Sequence, residues 1–284
     1  MKILVTGAYG QLGSEIKELS LIYLSDTFVF VDREEMPLDD VSRVFDVLEE
    51  IGPDVIVNGG AYTAVDKAES EPELVDIINH QAVETMATWA VKNRKKLIQI
   101  STDYVFQGNR DMPLKEDEPT DPLNVYGLTK LKGEEAILKS GADAIIIRTA
   151  WVYSSFGANF VKTMIRLMTE RDEISVINDQ VGSPTYARDL AKAILDIIHS
   201  ENWQKGICHF SNEGRISWYD FAVAIREIKN LNCKINPIPT TAYPTPAARP
   251  RYSLLDKGKI KSIFGVEVPD WKDSLEVMLN RLEG

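Results

Sequence analysis

Short apolar runs rich in β-branched residues alternate with helix-length amphipathic stretches through the first half of the chain. The runs are KILV at 2–5, FVFV at 28–31, DVIVN at 54–58, KLIQI at 96–100 and AIIIRT at 144–149. Runs of this kind, separated by helices, are typical of a parallel sheet with helices on both faces. Ligands of such sheets bind at the carboxyl ends of the strands. We therefore expect a doubly wound α/β fold with a site at that edge.

The alternation of apolar runs and helix-length stretches becomes less regular after about Tyr153. It predicts a helix near 160–168, a strand at ISVIN (174–178), a helix after Pro184 and a strand at ICHF (207–210). The segment 236–250, NPIPTTAYPTPAARP, is proline-rich, and proline suits an ordered loop better than a helix or a central strand. A final amphipathic segment contains Trp271, Leu275 and Leu279. We expect these parts to form a smaller C-terminal lobe.

Composition limits the kinds of molecule that the protein is expected to bind and the compartment in which it is expected to work. The net charge of −11 argues against nonspecific binding to nucleic acid or to anionic membranes, which requires a positive surface. A signal peptide and long apolar spans are not evident, so a cytoplasmic location is expected. Cys208 and Cys233 lie in separate segments and are expected to be reduced thiols. The three histidines, His80, His199 and His209, are scattered, so no metal site is expected.

A glycine-rich turn, VTGAYGQLG, follows the first strand. Its glycines have the spacing G-x-x-G-x-x-G, at Gly7, Gly10 and Gly13, and a helical pattern begins at about Gln11. Glycine lets the backbone approach a pyrophosphate, and the helix N-terminus offers free N–H groups. A glycine triplet alone is equally consistent with a plain tight turn, but its place between a strand and a helix favours dinucleotide binding.

An acidic residue supports the same interpretation. Asp32 ends the second strand nineteen residues after Gly13, where a carboxylate can accept the ribose hydroxyls of the adenosine. Asp32 favours NADH, whereas the neighbouring Arg33 can pair with the 2′-phosphate of NADPH, so either cofactor fits. We predict a Rossmann NAD(P)-binding domain of residues 1–150 plus roughly 184–210, and a substrate-binding lobe of roughly 151–183 and 211–284.

Tyr126 and Lys130 lie four residues apart in VYGLTK, which places them on one face of a helix. An isolated pair of this kind is usually an ordinary surface pair. Here it follows a nucleotide-binding pattern and the polar stretch STDYVF at 101–106. This combination is similar to the extended short-chain dehydrogenase/reductase superfamily.

Within that superfamily the chain closely resembles the dTDP-4-dehydrorhamnose reductase family over nearly its whole length. The resemblance rests on AYTAVDKAESEP, STDYVFQG, NVYGLTKLKGE, RTAWVY, NDQVGSPT and TTAYPTPAARP. It implies hydride transfer from NADH or NADPH to the C4 ketone of dTDP-4-dehydro-L-rhamnose.

The resemblance implies three catalytic residues. Tyr126 is the proton donor, Lys130 orients the nicotinamide ribose, and Thr102 polarises the ketone. A free phenol has a pKa of about 10. A positive charge roughly 5 Å away, at an effective dielectric of about 20, favours phenolate by about 3 kcal/mol, or about 2 pKa units. We therefore expect Lys130 to lower the pKa of Tyr126.

The resemblance also implies the substrate contacts. On the sugar side they are Asp103, Tyr104 and Trp151, with Asn159 as a further ligand contact. Capping of backbone amides is the alternative for Asp103 and Asn159, and a place in the core is the alternative for Tyr104. For the nucleotide half the candidates are Asp179, Gln180 and Arg249, with a turn or a surface salt bridge as the alternatives. Phe106 is expected in the core, and Ser101 is the polar member of STDYVF least suited to catalysis, because hydride transfer needs no covalent intermediate.

Further cofactor contacts follow from the resemblance. Gln11 and Leu12 belong to the glycine-rich turn, Leu38 and Asp39 fall where the family covers the adenine, and Ala61, Tyr62 and Thr63 line the path of the pyrophosphate and nicotinamide ribose. Asn79 is expected to be a buried structural residue. Some family members form dimers around a magnesium ion held by glutamates. Glu15 matches one such position, but Arg188 replaces another, so we expect no magnesium there and either a monomer or a homodimer.

Two other functions fit parts of the pattern. One is a different nucleotide-sugar enzyme of the superfamily, an epimerase or a 4,6-dehydratase, but a dehydratase typically has an Asp-Glu pair after the threonine, and here Tyr104 follows Asp103. The other is a non-catalytic homologue of the type that regulates methionine adenosyltransferase. Retention of Thr102, Tyr126 and Lys130 favours an active enzyme.

Overall fold

The computed structural model describes residues 1–282 and has a parallel sheet of six strands at its centre. The strands are β1 (Lys2–Thr6), β2 (Thr27–Val31), β3 (Val55–Asn58), β4 (Lys96–Thr102), β5 (Asp143–Thr149) and β10 (Gly206–His209). Their spatial order is β10-β5-β4-β3-β1-β2. The winding direction reverses between β1 and β3, so a ligand cleft is expected at the carboxyl ends of those strands.

Helices cover both faces of this sheet. One layer contains α1 (Gln11–Ser20), α8 (Ala187–His199) and α10 (Gly258–Phe264), and the other contains α2 (Val41–Ile51), α5 (Ala82–Asn93) and α6 (Val125–Ser140). Successive strand residues point to opposite layers: Ile3 packs with the first, and Leu4 with the second. Strand β3 is buried along its whole length because both of its faces are covered.

Short elements connect the strands to the helices. Before α5 come α3 (Val65–Ala68), α4 (Pro72–Asp76) and a π-helical turn at Ile77–Gln81. A 3-10 turn at Asp103–Val105 follows β4. These elements border the carboxyl edge of the sheet and carry several residues of the site.

A second apolar core lies in the C-terminal part of the chain. Its helices are α7 (Phe160–Glu170), α9 (Trp218–Ile228) and α11 (Trp271–Arg281). Three two-stranded sheets complete it: β6 (Val152–Tyr153) with β9 (Thr185–Tyr186), β7 (Glu173–Ile177) with β12 (Lys234–Ile238), and β8 (Val181–Gly182) with β11 (Ile216–Ser217). The side chains of Phe221, Leu275 and Met278 are fully buried there.

The structure confirms the doubly wound fold and corrects one element. The proline-rich segment was expected to be a loop, but its first residues lie in β12, and a 3-10 turn follows at Thr240–Ala242. Pro237 is tolerated because β12 pairs only with β7 in the described sheets, and the missing N–H disrupts no second ladder.

The predicted division into two domains stays a prediction, and one element lies on the other side of it: α10, which we assigned to the C-terminal lobe, packs against the large sheet through Ile260. Helix α8 and strand β10 join the large sheet, as the sequence suggested for roughly 184–210. The last two residues of the predicted lobe, 283 and 284, lie outside the described residues. Within 1–282, none of the helices combines the length and apolar composition needed to cross a bilayer.

Candidate active site

A cleft of about 710 Å³ lies at the carboxyl edge of the sheet. Most of the predicted site residues line it, although they come from distant parts of the chain. They are Gly7, Gly10, Gln11, Leu12, Asp32, Leu38, Asp39, Ala61, Tyr62, Thr63, Thr102, Asp103, Tyr104, Tyr126, Lys130, Trp151 and Asn159. The cleft is large enough for a nucleotide cofactor, because ligand sites typically measure about 300–1,000 Å³.

The glycine-rich turn has a backbone that only glycine fits. Gly7 has φ +68°, a left-handed conformation that other residues rarely adopt. A Cβ atom at Gly13 would lie 2.2 Å from the carbonyl oxygen of Gly7, so this glycine allows α1 to pack closely against the turn. Gly13 thus has a packing role, whereas Gly7 and Gly10 face the cleft. The turn therefore fits the pyrophosphate of a dinucleotide.

Asp32 lines the cleft and is held there by backbone bonds. Its Oδ2 accepts from the N–H of Tyr9 at 2.9 Å, and its Oδ1 accepts from the N–H of Arg33 at 2.8 Å. Arg33, Leu38 and Asp39 line the same cleft. This geometry fits either NADH, through the carboxylate, or NADPH, through the guanidinium.

Asn79 anchors the loop after β3. Its Oδ1 accepts from the N–H of Tyr62 at 2.9 Å, and its Nδ2 donates to the carbonyl of Tyr62 at 3.1 Å. Asn79 is only 1% exposed and lies in the π-helical turn, which aims it at the loop. It thus has the structural role expected from the sequence, and it fixes the position of Ala61–Thr63 along the cleft.

Tyr126 and Lys130 lie on consecutive turns at the start of α6. Asn124 caps this helix by accepting from the N–H of Gly127 at 2.7 Å. The Lys130 Nζ is buried and donates to the carbonyl of Ile100 on β4 at 2.6 Å. This bond ties the start of the helix to the strand that carries Thr102.

The protonation of this pair differs from our expectation. Burial raises the pKa of Tyr126 to about 12, although a hydrogen bond with Thr102 acts to lower that pKa. Burial lowers the pKa of Lys130 to about 8, and the carboxylate of Glu134 opposes that shift. The predicted lowering of the Tyr126 pKa was wrong, because desolvation of the phenolate outweighs the attraction that we expected from Lys130.

Thr102 and Asp103 are coupled at the end of β4. The Thr102 hydroxyl donates to Asp103 Oδ1 at 3.0 Å and accepts from the N–H of Tyr104 at 3.2 Å. Asp103 is 2% exposed, and its Oδ2 accepts no hydrogen bond from the residues that the structure describes. Burial raises the pKa of Asp103 to about 6. An unpaired acceptor in the cleft wall is suited to a ligand hydroxyl.

Aromatic rings form the wall beyond Tyr126. Tyr104 meets Tyr126 edge to face at 5.8 Å between centroids, so it belongs to the cleft wall. Trp151 stacks on Trp218 at 3.8 Å. Sequence reasoning missed Trp218: the spacing Ser217-x-x-Asp220 signals a capped helix start, but not the direction of the ring. Phe106 is 1% exposed and lies in the core, as expected.

Asn159 has the capping role considered for it, and its contact with a ligand stays a prediction. Its Oδ1 accepts from the N–H of Lys162 and caps α7, while its Nδ2 donates to Gln11 Oε1 at 3.0 Å. It also lines the cleft. The residue therefore connects the second lobe to the glycine-rich turn.

Three predicted substrate residues lie outside the cleft wall and bond within the chain. Arg249 forms a two-point ion pair with Asp66, at 3.0 and 2.8 Å. The Asp179 carboxylate accepts from the N–H and hydroxyl of Thr240, and Gln180 Nε2 donates to the same hydroxyl. The structure supports the alternatives, an ion pair and a closed turn, so the substrate roles of these residues stay predictions.

Known proteins match the chain along its whole length. A sequence model of the RmlD substrate binding domain matches residues 1–283. The chain is 43% identical to a dTDP-4-dehydrorhamnose reductase of Escherichia coli K12, over 99% of this chain and 98% of the relative. The chain belongs to the dTDP-4-dehydrorhamnose reductase family.

Solved structures of this family superpose closely on the fold. A dTDP-4-dehydrorhamnose reductase from Clostridium acetobutylicum gives a TM-score of 0.95 at 38% identity and covers 100% of both chains. Another from Bacillus anthracis, in complex with NADP, gives 0.94 at 38% identity over 99% of both chains. The family resemblance seen in the sequence is confirmed.

The residues around Glu15 do not fit the magnesium ion that the sequence resemblance raised. Glu15 is 0% exposed, and its carboxylate accepts from Arg188 at 3.1 Å, Arg281 at 2.9 Å and Ser154 at 2.6 Å. Glu18 pairs with the same two arginines. Two guanidinium groups thus occupy the place of a cation, and residues 1–282 contain no cluster of three or more potential metal ligands.

Chelation is expected to leave the stability of the protein unchanged. The arginines already neutralise Glu15, so EDTA should not lower the midpoint of thermal unfolding, whereas Arg188→Ala/Arg281→Ala should lower it by roughly 5 °C or more because a buried carboxylate loses its partners. Differential scanning calorimetry measures both, with Arg166→Ala, an exposed ion pair on α7, as the control. A fall of several degrees with EDTA alone would contradict this assignment.

Asp103 is expected to reduce stability at neutral pH. Its pKa in the folded protein, about 6, lies above the ordinary value near 3.8, so its destabilising effect appears as pH rises from about 4 through 6. Asp103→Asn should therefore raise the free energy of unfolding by about 3 kcal/mol at pH 7.5, with little change at pH 4. Urea unfolding at both pH values measures this; an equal effect at both would rule out the titration of Asp103 as the cause.

Proposed function

We propose that the protein reduces the C4 ketone of dTDP-4-dehydro-L-rhamnose to give dTDP-L-rhamnose, with NADH or NADPH as the reductant. The observation that carries this proposal is the meeting of Tyr126, Lys130 and Thr102 in one cleft with the glycine-rich turn. Membership of the reductase family supports the choice of substrate. The NADP complex of the Bacillus anthracis relative supports the choice of cofactor.

Tyr126 is the proton donor in this proposal. When bound, the reduced nicotinamide supplies a hydride to C4, and negative charge develops on the ketone oxygen. With a pKa of about 12, the Tyr126 phenol holds its proton at neutral pH and is ready to donate it. A buried phenolate is costly, and we assign to the Lys130 ammonium, one turn along α6, the stabilisation of the charge that Tyr126 acquires.

Thr102 and Asp103 change partners when the substrate binds. In the structure the Thr102 hydroxyl directs its only proton to Asp103 Oδ1. To polarise the ketone it turns toward the substrate, and Asp103 then accepts from a sugar hydroxyl instead. The position of Asp103 supports this exchange, because the residue lines the cleft and its Oδ2 has no hydrogen-bond partner among the described residues.

Trp151 and Tyr104 place the sugar ring against the catalytic residues. Both line the cleft, and flat aromatic faces suit the apolar face of a hexose. Asn159 completes the sugar end. For the nucleotide half, Arg249, Asp179 and Gln180 are the proposed contacts. Arg249 would exchange Asp66 for the diphosphate, which presents the same pair of oxygens to the guanidinium.

The geometry favours a reductase over the alternatives. Tyr104, rather than a glutamate, follows Asp103 and points its ring at Tyr126, so a dehydratase would lack its second carboxylate at this position. A regulatory homologue needs no buried lysine beside a tyrosine in a cleft. The cytoplasmic location and the choice between monomer and homodimer stay predictions.

Turnover tests the proposal directly. Purified protein is mixed with dTDP-4-dehydro-L-rhamnose and NADH or NADPH, and the absorbance of the reduced nicotinamide is followed. We expect loss of absorbance together with formation of dTDP-L-rhamnose. If the folded protein oxidises neither cofactor, the proposed function is wrong.

Tyr126→Phe isolates the proton transfer. Turnover should fall by roughly 10² or more, whereas the affinity for NADPH should change little, because the ring is kept and only the donor is lost. Tyr23→Phe is the matched control, because this tyrosine stacks on His199 and does not line the cleft. Removal of the Tyr23 hydroxyl should leave turnover unchanged. Full activity of Tyr126→Phe would remove Tyr126 from the mechanism.

A further inference from the structure

A buried carboxylate lies one helical turn beyond the catalytic lysine. Glu134 follows Lys130 by four residues on α6 and is 1% exposed. It accepts from Arg148 Nη2 at 2.6 Å and Nε at 3.0 Å, and from the Ser101 hydroxyl at 2.5 Å. Tyr126, Lys130 and Glu134 therefore share one face of the helix.

The two partners of Glu134 belong to neighbouring strands. Ser101 on β4 and Arg148 on β5 are opposite each other in the sheet, one position before Thr102 and Thr149. Glu134 thus joins α6 to both strands beside the catalytic threonine. Lys130 makes the adjacent attachment, to the carbonyl of Ile100. Together these bonds fix the position of the helix along β4.

Glu134 also places a negative charge on the same face of α6 as Lys130, one helical turn further along. Other ionisable groups around the start of α6 are Asp103 and Tyr104 on the 3-10 turn, Tyr126 on the helix and Arg148 on β5. Asp76, at the end of α4, is paired with Lys132 and with His80 of the π-helical turn, and Asp66 of α3 is paired with Arg249. Of the carboxylates, Glu134 is the one that opposes the effect of burial on Lys130.

We propose that Glu134 is a positioning residue for the proposed reduction: it docks the catalytic helix on β4 and β5 and keeps Lys130 as the ammonium ion. The inference rests on the proposed function, because Glu134 acts only through the catalytic residue Lys130. It also explains why Ser101, which takes no part in hydride transfer, is polar and buried: its hydroxyl holds the Glu134 carboxylate.

Glu134→Gln removes the charge and keeps the shape. Without the carboxylate, the ammonium form of Lys130 is less stable and loses its proton at lower pH. The alkaline limb of kcat/KM against pH should therefore move down by about one pH unit. Glu134→Asp keeps the charge on a shorter side chain, so we expect a lower kcat with the alkaline limb near its wild-type position. Ser101→Ala should leave the limb unmoved.

Loss of one partner from a buried ion pair can prevent folding, so a second variant is needed. Glu134→Gln/Arg148→Met removes both charges together, which proteins tolerate better. Its alkaline limb should move in the same direction as that of Glu134→Gln but by less, because the loss of the Arg148 cation offsets part of the loss of the carboxylate. Circular dichroism establishes that each variant is folded.

The affinity for NADPH, measured by fluorescence across the same pH range, separates the two proposals. Lys130 is expected to contact the nicotinamide ribose, so this affinity should show the shifted limb even without turnover. If the wild-type protein turns over and the limbs of both Gln variants coincide with those of the wild type, the role of Glu134 is wrong and the proposed function stands. If the wild-type protein does not turn over, the proposed function fails. The pH dependence of the affinity for NADPH then still decides whether Glu134 controls the protonation of Lys130.

Discussion

A row of buried polar side chains crosses the carboxyl edge of the sheet, and each must find a partner away from water. The Thr6 hydroxyl donates to Asn58 Oδ1 at 2.6 Å, and Asn58 Nδ2 donates to Gln99 Oε1 at 2.7 Å. Gln99 Nε2 then donates to the carbonyl of Ile100 at 2.8 Å, which also accepts from Lys130. Strand register makes this row possible, because Thr6, Asn58 and Gln99 are opposite one another in β1, β3 and β4.

The cofactor turn and the catalytic helix are linked through this row. The N–H of Gly60 donates to the Thr6 hydroxyl at 3.0 Å, so the loop that faces Gly7 is attached at one end. Lys130 is attached at the other end. A shift of either strand would break a hydrogen bond between buried side chains, and such bonds are costly to lose. The relative position of cofactor and proton donor is therefore set by the sheet itself.

The sequence predicted those features that depend on local patterns. Strand and helix periodicities gave the sheet, glycine spacing gave the cofactor turn, and the four-residue spacing gave the common face of Tyr126 and Lys130. The sequence did not predict pairs of residues that form only in the folded protein. These are Arg249 with Asp66, Trp151 with Trp218, and Glu134 with Arg148. The pKa of Tyr126 was misjudged for a similar reason, since desolvation depends on everything packed around the phenol and not on Lys130 alone.

The cleft contains features that reduce stability, as expected where function constrains the residues. Asp103 is buried with an unpaired oxygen, and Trp151 has φ +50°, a strained conformation for a large side chain. Gly182 leaves room for that ring, because a Cβ atom there would lie 3.0 Å from Trp151 Cζ2. This backbone conformation directs Trp151 into the cleft wall.

A crystal structure with NADP⁺ and dTDP-L-rhamnose bound tests the central claim most directly. We predict that rhamnose O4 lies within about 3 Å of the Tyr126 hydroxyl and the Thr102 hydroxyl. We also predict that C4 of the sugar faces C4 of the nicotinamide at about 3.5 Å. A complex in which both ligands are bound but O4 lies away from Tyr126 would contradict that claim.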